Sequence, residues 1–122
     1  MTGGQMAPTT ILGQKSTTTP GGREILRDGA PLNLSEMLGI VEGAVYIERT
    51  AVNSPKNILK TKKAIKKAFK VQMANLGYSM VEILSPCPTN WKMSPVEACR
   101  WVEDTMTGVF PLKVIKDKVG KI

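Results

Sequence analysis

Between residues 33 and 111 the chain alternates between two hydrophobic periods. Leu34, Met37, Leu38 and Val41 recur every three to four positions, the stripe of an amphipathic helix, and Gly43 offers its stop. Asn33 and Glu36 stand at the spacing of a capping box, in which one side chain caps the helix and the other reaches back to the cap. Residues 45–49, VYIER, are β-branched and aromatic before charge enters, which predicts a strand. Ser54-Pro55 then supplies a cap followed by proline at the first helical position. Ile58, Ile65, Ala68, Phe69, Met73 and Leu76 continue at helical spacing to Gly77. Of these, Ile65, Phe69 and Met73 share one stripe, so the pattern predicts that the central helix is the main support of the core. Residues 78–84 repeat the strand pattern, and Ser94-Pro95-Val96-Glu97 is a second capping box that opens a helix over 95–106. Residues 112–122 alternate apolar and basic positions and read as a short strand or a frayed end.

Helix, strand, helix, strand, helix is an α/β pattern, and a strand–helix–strand unit implies a parallel pair with a right-handed crossover. In open parallel sheets ligands bind beyond the carboxyl ends of the strands. Residues 49–53 leave the first strand and residues 85–90 leave the second, so both loops are expected on that edge. A chain of 122 residues with 42% apolar content has room for one core. No apolar run approaches the roughly 18–20 residues of a membrane span, so no membrane association is expected. Two cysteines, Cys87 and Cys99, make no disulfide framework, which points to the cytoplasm. The chain has no histidine, which excludes histidine-based catalysis and histidine metal ligation.

The first 19 residues, MTGGQMAPTTILGQKSTTT, carry neither period. Gly3-Gly4 permits positive φ and close approach of a ligand to the backbone. The hydroxyls of Thr2, Thr9 and Thr10 and the amide of Gln5 are neutral donors suited to an anion such as a phosphate. Cys87 lies between Pro86 and Pro88, in a loop too stiff to continue a strand or a helix. A rigid loop fixes the direction of a thiol, as metal ligation requires. Cys99 stands one turn from both Val96 and Val102 and reads as a core residue.

TGGQMAPTT followed by GQKSTTTPGGR resembles the thiamine-diphosphate segment of the β subunits of 2-oxoacid:ferredoxin oxidoreductases, and the similarity continues through AVYIERTAVNSPKNI, SPCPTNW and KMSPVEA. The resemblance implies a parallel sheet with flanking helices, part of a thiamine-diphosphate-binding fold. It implies that 1–122 is the C-terminal portion of that domain, with 1–32 the cofactor-side loops, 33–111 the helix and βαβ core, and 112–122 a basic tail. Thr2, Gly3, Gly4 and Gln5 are then expected at the cofactor and Cys87 as one ligand of a [4Fe–4S] cluster. The family's GDG…N segment, which holds the cofactor's Mg²⁺, and its CxxC region have no counterpart in this sequence. On that ground the isolated chain is expected to bind no thiamine diphosphate and to oxidise no 2-oxoacid. A second ground is that ordering a free N-terminal end costs roughly 1–2 kcal/mol per residue. The implied partners are the α and other subunits, ferredoxin, a 2-oxoacid and coenzyme A.

Six glutamates (Glu36, Glu42, Glu48, Glu82, Glu97 and Glu103) are spread over several elements with no pair placed for acid–base work, so no catalytic side chain is assigned. The net charge of +7 concentrates in the central helix, where seven lysines between Lys56 and Lys70 avoid the apolar stripe. Such a run reads first as a solvated face and second as a docking surface for an acidic partner. A nucleic-acid site would interleave stacking aromatics, and none is predicted. A non-enzymatic basic α/β binding module is the alternative functional reading.

Overall fold

The computed structural model describes residues 3–121. Its sheet has three strands in the order β2-β1-β3. Strand β1 (Ala44–Ala51) pairs in parallel with β2 (Tyr78–Leu84), as the strand–helix–strand pattern predicts. The tail alternation is realised as β3 (Lys113–Asp117), which pairs with β1 in the antiparallel sense, so the sheet is mixed. Two short helices precede β1: α1 (Ile25–Asp28) and α2 (Leu34–Gly39). Helix α3 (Pro55–Met73) links the parallel strands, and its cap is as expected, with the Ser54 hydroxyl accepting from the Asn57 N–H.

Because strand residues alternate between faces, the sheet is covered differently on its two sides. On one, Lys67 of α3 lies over the Tyr46 ring and the Ser79 hydroxyl donates to the Ala68 carbonyl. On the other, Ile47, Arg49 and Glu82 face α2, and Gly39 approaches Ile115 so closely that a Cβ would lie 2.8 Å from it. A core of Ile11, Ala51, Leu84, Val102, Met106 and Phe110 sits at the carboxyl ends of β1 and β2, with Trp91, Trp101 and Leu112 against it.

The capping box at Ser94 forms in full and starts α5 (Pro95–Trp101). The predicted continuation to residue 106 is helical, but Val102–Met106 is a π-helical segment, followed by a last α turn, α6 (Thr107–Val109). Ala98, Val102, Met106 and Phe110 are all buried. A repeat of four overshoots the 3.6 residues of an α turn. The wider π turn undershoots it and brings these four side chains back onto one line.

Sequence expectations for two helices are overturned, and α2 ends at Gly39, before the expected stop at Gly43. Asn33 and Glu36 form no capping box: the Asn33 side chain makes no cap bond, and both side chains turn to Arg49 instead. The stripe of Ile65, Phe69 and Met73 is not the core. The face α3 buries is Thr61, Ala64 and Val71, small side chains that let the helix sit close to the sheet. Phe69 is 65% exposed and Met73 86%, because that stripe projects past the outer edge of β2, where no further strand lies among the described residues. Periodicity marked an apolar flank without saying what would cover it.

Arg49 is the central buried charge, its side chain wholly out of solvent. Its Nε donates to Glu82 at 2.7 Å, its Nη1 to Glu36 and to the Pro111 carbonyl, and its Nη2 to Glu36 and Asn33. The Phe110 ring covers the guanidinium with its centroid 5.2 Å away. Ser35, also fully buried, donates to the same Glu82 carboxylate.

Phe69→Ala should leave the urea midpoint nearly unchanged, whereas Phe110→Ala should cost about 3–5 kcal/mol as a large buried side chain lost. Arg49→Met should cost about 3 kcal/mol by leaving two carboxylates without their cation; an unaltered midpoint would show that the network contributes nothing.

Burial alone would raise the Glu36 carboxyl, but Arg49 and Lys113 outweigh it and hold the group below its ordinary value. Asp117 is likewise held low: burial would raise it, but Lys67 and the Val119 and Gly120 N–H groups together outweigh that, and the Arg27 hydrogen bond holds Asp28 at about 2. A carboxylate with a depressed folded pKa stabilises the fold above its unfolded value, and that stabilisation is lost as pH falls through the folded one. The melting temperature should therefore decline as pH drops below about 4, and Glu36→Gln should flatten that decline.

Candidate functional site

Residues 3–22 lack helix and strand yet are held in place by hydrogen bonds. Arg23, only 6% exposed, is the organiser. Its guanidinium donates to the carbonyls of Ala7, Pro8 and Thr10 on one side and of Asp28, Gly29 and Ala30 on the other. The Thr10 hydroxyl, expected to face an anion, is buried and accepts from the Ala7 N–H. The Gln14 side chain accepts from the Ile11 N–H, and Thr17 and Thr18 donate to the carbonyls of Gly3 and Gly4. Gly22 takes φ of +89° and packs on the Gly13 carbonyl, where a Cβ would lie 2.7 Å from the oxygen. The expected free N-terminal end is thus replaced over residues 3–22 by an ordered loop, because one buried arginine ties three of its carbonyls to three at and just beyond the end of α1.

This loop lies at the carboxyl edge of the strands, anchored by Ile11 in the core beside Ala51 and Leu84. The loop leaving β2 comes to the same place. Pro86 ends extended pairing, but Pro88 opens a helical turn, α4 (Pro88–Trp91), for which proline at the first position is well suited. Cys87 precedes it, half-buried, with its carbonyl accepting from the Trp91 N–H.

The two sequence-predicted stretches meet here. A Cβ on Gly3 would lie 2.6 Å from Asn90 Cβ and 2.7 Å from Trp91 Cδ1. Gly4 does not use the positive φ that a glycine permits. The missing side chain of Gly3 serves close approach to the Cys87 loop instead. The Asn90 side-chain amide lies 3.5 Å from Cys87 Sγ, and the backbone N–H groups of Gly3 and Asn90 also point at the sulfur. Led by the Asn90 bond, these donors outweigh burial and lower the thiol pKa. Trp91 packs against Trp101 with ring centroids 4.7 Å apart and the rings tilted by 54°, and its buried indole N–H, beside Gly3, finds no acceptor among the described residues. Gly4 is half-buried and Gln5 exposed, while Thr2 lies outside the described residues. Cys99 stands apart, half-buried on α5, where the fully buried position is Ala98.

Ketoisovalerate oxidoreductase subunit VorA of Methanothermobacter marburgensis is 44% identical over 118 residues, which is 97% of this chain and 25% of VorA. 2-Oxoglutarate synthase subunit KorB of Archaeoglobus fulgidus is 35% identical over the whole chain and 47% of its own length. Pyruvate synthase subunit PorB of Pyrococcus furiosus is 28% identical over 95% of the chain and 33% of its own length. The chain is homologous to part of the 2-oxoacid:ferredoxin oxidoreductase subunits. It spans about a quarter of VorA and about half of KorB. No family model and no solved structure matches the chain. No helix among the described residues is long and apolar enough to cross a membrane.

For the groups that this relationship implies, the residues present fit a share of each. Cys87 offers one thiol whose anion is stabilised by three donors, as a thiolate ligand requires. Among the described residues no three of Cys, Asp and Glu converge, so the remaining ligands of a [4Fe–4S] cluster and the carboxylates for Mg²⁺ would come from elsewhere.

The meeting of Gly3 and Cys87 was not visible in the sequence, and neither were the roles of Arg23 and Arg49. A lone arginine after Pro-Gly-Gly carries no periodic signal, and one at a strand end looks solvent-exposed.

In a Cys99→Ser background only Cys87 titrates. There Asn90→Ala should raise the thiol pKa and slow alkylation at neutral pH. Gly3→Ala should do the same by pushing the N-terminal loop off the Cys87 turn. Alkylation rates indifferent to both changes would remove the three-donor description of the sulfur.

Proposed function

We propose that this chain is a portion of the thiamine-diphosphate-binding subunit of a 2-oxoacid:ferredoxin oxidoreductase. The observation that carries the reading is the convergence of the Gly3-Gly4 backbone and the Cys87 loop at the carboxyl edge of a parallel strand pair. The chemistry that thiamine diphosphate supplies when bound is oxidative decarboxylation of a 2-oxoacid, with electrons released to iron–sulfur clusters and on to ferredoxin and the acyl group taken by coenzyme A. In that setting Thr2, Gly3, Gly4 and Gln5 lie along the diphosphate, and Cys87 is one ligand of a [4Fe–4S] cluster. Arg23 holds the cofactor loop against the strand ends, and the Trp91–Trp101 pair closes the floor of the site to water. Mg²⁺ and the other cluster ligands are shared with residues outside this chain, so the site is assembled with the α and other subunits. The setting is cytoplasmic.

The purified complex should contain thiamine diphosphate and iron in fixed proportion to this chain. Cys87→Ser should lower the iron content and electron transfer to ferredoxin, while Cys99→Ser should leave both largely intact. Equal iron loss in the two variants, or none in either, would remove the cluster assignment; a complex with neither iron nor cofactor would favour a non-enzymatic basic module. The isolated chain, titrated calorimetrically with thiamine diphosphate and Mg²⁺, should show no measurable binding, because its neutral donors do not balance a diphosphate. Micromolar binding would mean that these residues form a complete site.

A further inference from the structure

Helix α3 carries seven lysines and no acidic residue in 19 positions. Like charges three and four residues apart disfavour a helix, and several such pairs fall on this one, Lys62–Lys66 and Lys66–Lys70 among them. One of the seven is compensated: Lys67 pairs with Asp117 at 2.5 Å and lies over Tyr46. The other six are exposed and make no ion pair among the described residues. The lysines do not stand alone. Phe69 and Met73, 65% and 86% exposed, project among Lys62, Lys66 and Lys70. Beside Phe69, a shallow groove lined by Ile65, Ala68, Phe69, Gln72, Ser79 and Val81 runs between α3 and the open edge of β2. An apolar centre with a polar, charged rim is the anatomy of a protein interface.

We propose that this outer flank of α3 is a docking surface for a protein partner that presents an apolar patch ringed by Asp and Glu. The inference rests on charge and apolar exposure, independently of the cofactor assignment above. A second copy of the chain does not fit, because it would bring another lysine-rich helix against this one. Nucleic acid fits less well. The flank holds no arginine, the side chain of bidentate phosphate and base recognition. Its apolar groove offers one aromatic ring rather than a row of stacking platforms. An acidic and apolar protein surface uses both halves of the flank at once: the lysines steer and orient it, and Phe69 and Met73 are buried on contact.

The test is fluorescence anisotropy of the 122-residue chain with three labelled probes of equal charge: a peptide of alternating Glu and Leu, an oligoglutamate and an oligothymidylate. The Glu–Leu peptide should bind at least about tenfold more tightly than the other two, and its affinity should fall with added salt. Reversing Lys62, Lys66 and Lys70 to Glu should weaken that binding by about tenfold or more. Reversing Lys15, Lys118 and Lys121, exposed lysines outside α3 and the same change in net charge, should alter it by less than about threefold. Phe69→Asp, at an exposed position that the fold does not need, should weaken binding by about fivefold. Three results would overturn the proposal. The oligothymidylate binding most tightly would make the flank a nucleic-acid site. Equal losses in the two triple variants would reduce it to net charge. Self-association abolished by Phe69→Asp would make the occupant a second copy.

Discussion

The structure depends on how it accommodates a guanidinium without water. Arg49 sits near the end of the central strand with its side chain fully buried, and moving such a charge out of solvent costs several kcal/mol unless every donor is matched. The match comes from four groups in three parts of the chain: Asn33 and Glu36 at the start of α2, Glu82 on the neighbouring strand, and the Pro111 carbonyl before β3. Satisfying one side chain therefore fixes α2, β1, β2 and the approach to β3 relative to one another. It also explains why α2 gives up its capping box, since two carboxylate bonds to a buried cation are worth more than a cap at an exposed helix end.

Arg23 solves a similar problem for a segment with no regular structure. A loop of twenty residues leaves many carbonyls without partners, and a single planar donor with fixed geometry collects three of them and joins them to three carbonyls of residues 28–30. The loop is thereby held across the carboxyl edge of the parallel strands, with Ile11 driven into the core and Gly3 laid against Asn90 and Trp91. The low-pKa environment of Cys87 follows from this placement, because one of the donors at its sulfur is the backbone of Gly3, more than eighty residues earlier in the chain. The N-terminal loop and the thiol are thus coupled mechanically, and displacement of one alters the chemistry of the other.

The two long helical rods show how one kind of pattern can have different outcomes. On α5 and its continuation, Ala98, Val102, Met106 and Phe110 face a core that this chain itself provides, and a π turn keeps them in line. On α3 the longest apolar side chains point away from the sheet centre, while Thr61, Ala64 and Val71 make the contact. The close approach of helix and sheet requires small residues in the buried stripe, and it leaves the larger ones on a flank that a three-stranded sheet is too narrow to cover.

The sequence by itself determined the α/β order of elements, the parallel pairing of β1 with β2, the caps at Ser54 and Ser94, and the position of the Gly3-Gly4-Gln5 stretch outside regular structure. These are local or short-range: hydrophobic period, proline position and cap chemistry act within a few residues. Its likeness to 2-oxoacid:ferredoxin oxidoreductase subunits was legible as well, since motifs survive in order along the chain. Only the tertiary structure decided which apolar stripe is buried, whether the tail strand pairs parallel or antiparallel, and what Asn33, Glu36 and Arg23 do. Each of those depends on a partner far away in sequence. A residue's spacing states which face it shares, but the burial of a charge or a phenylalanine is settled by whatever surface the fold brings against that face.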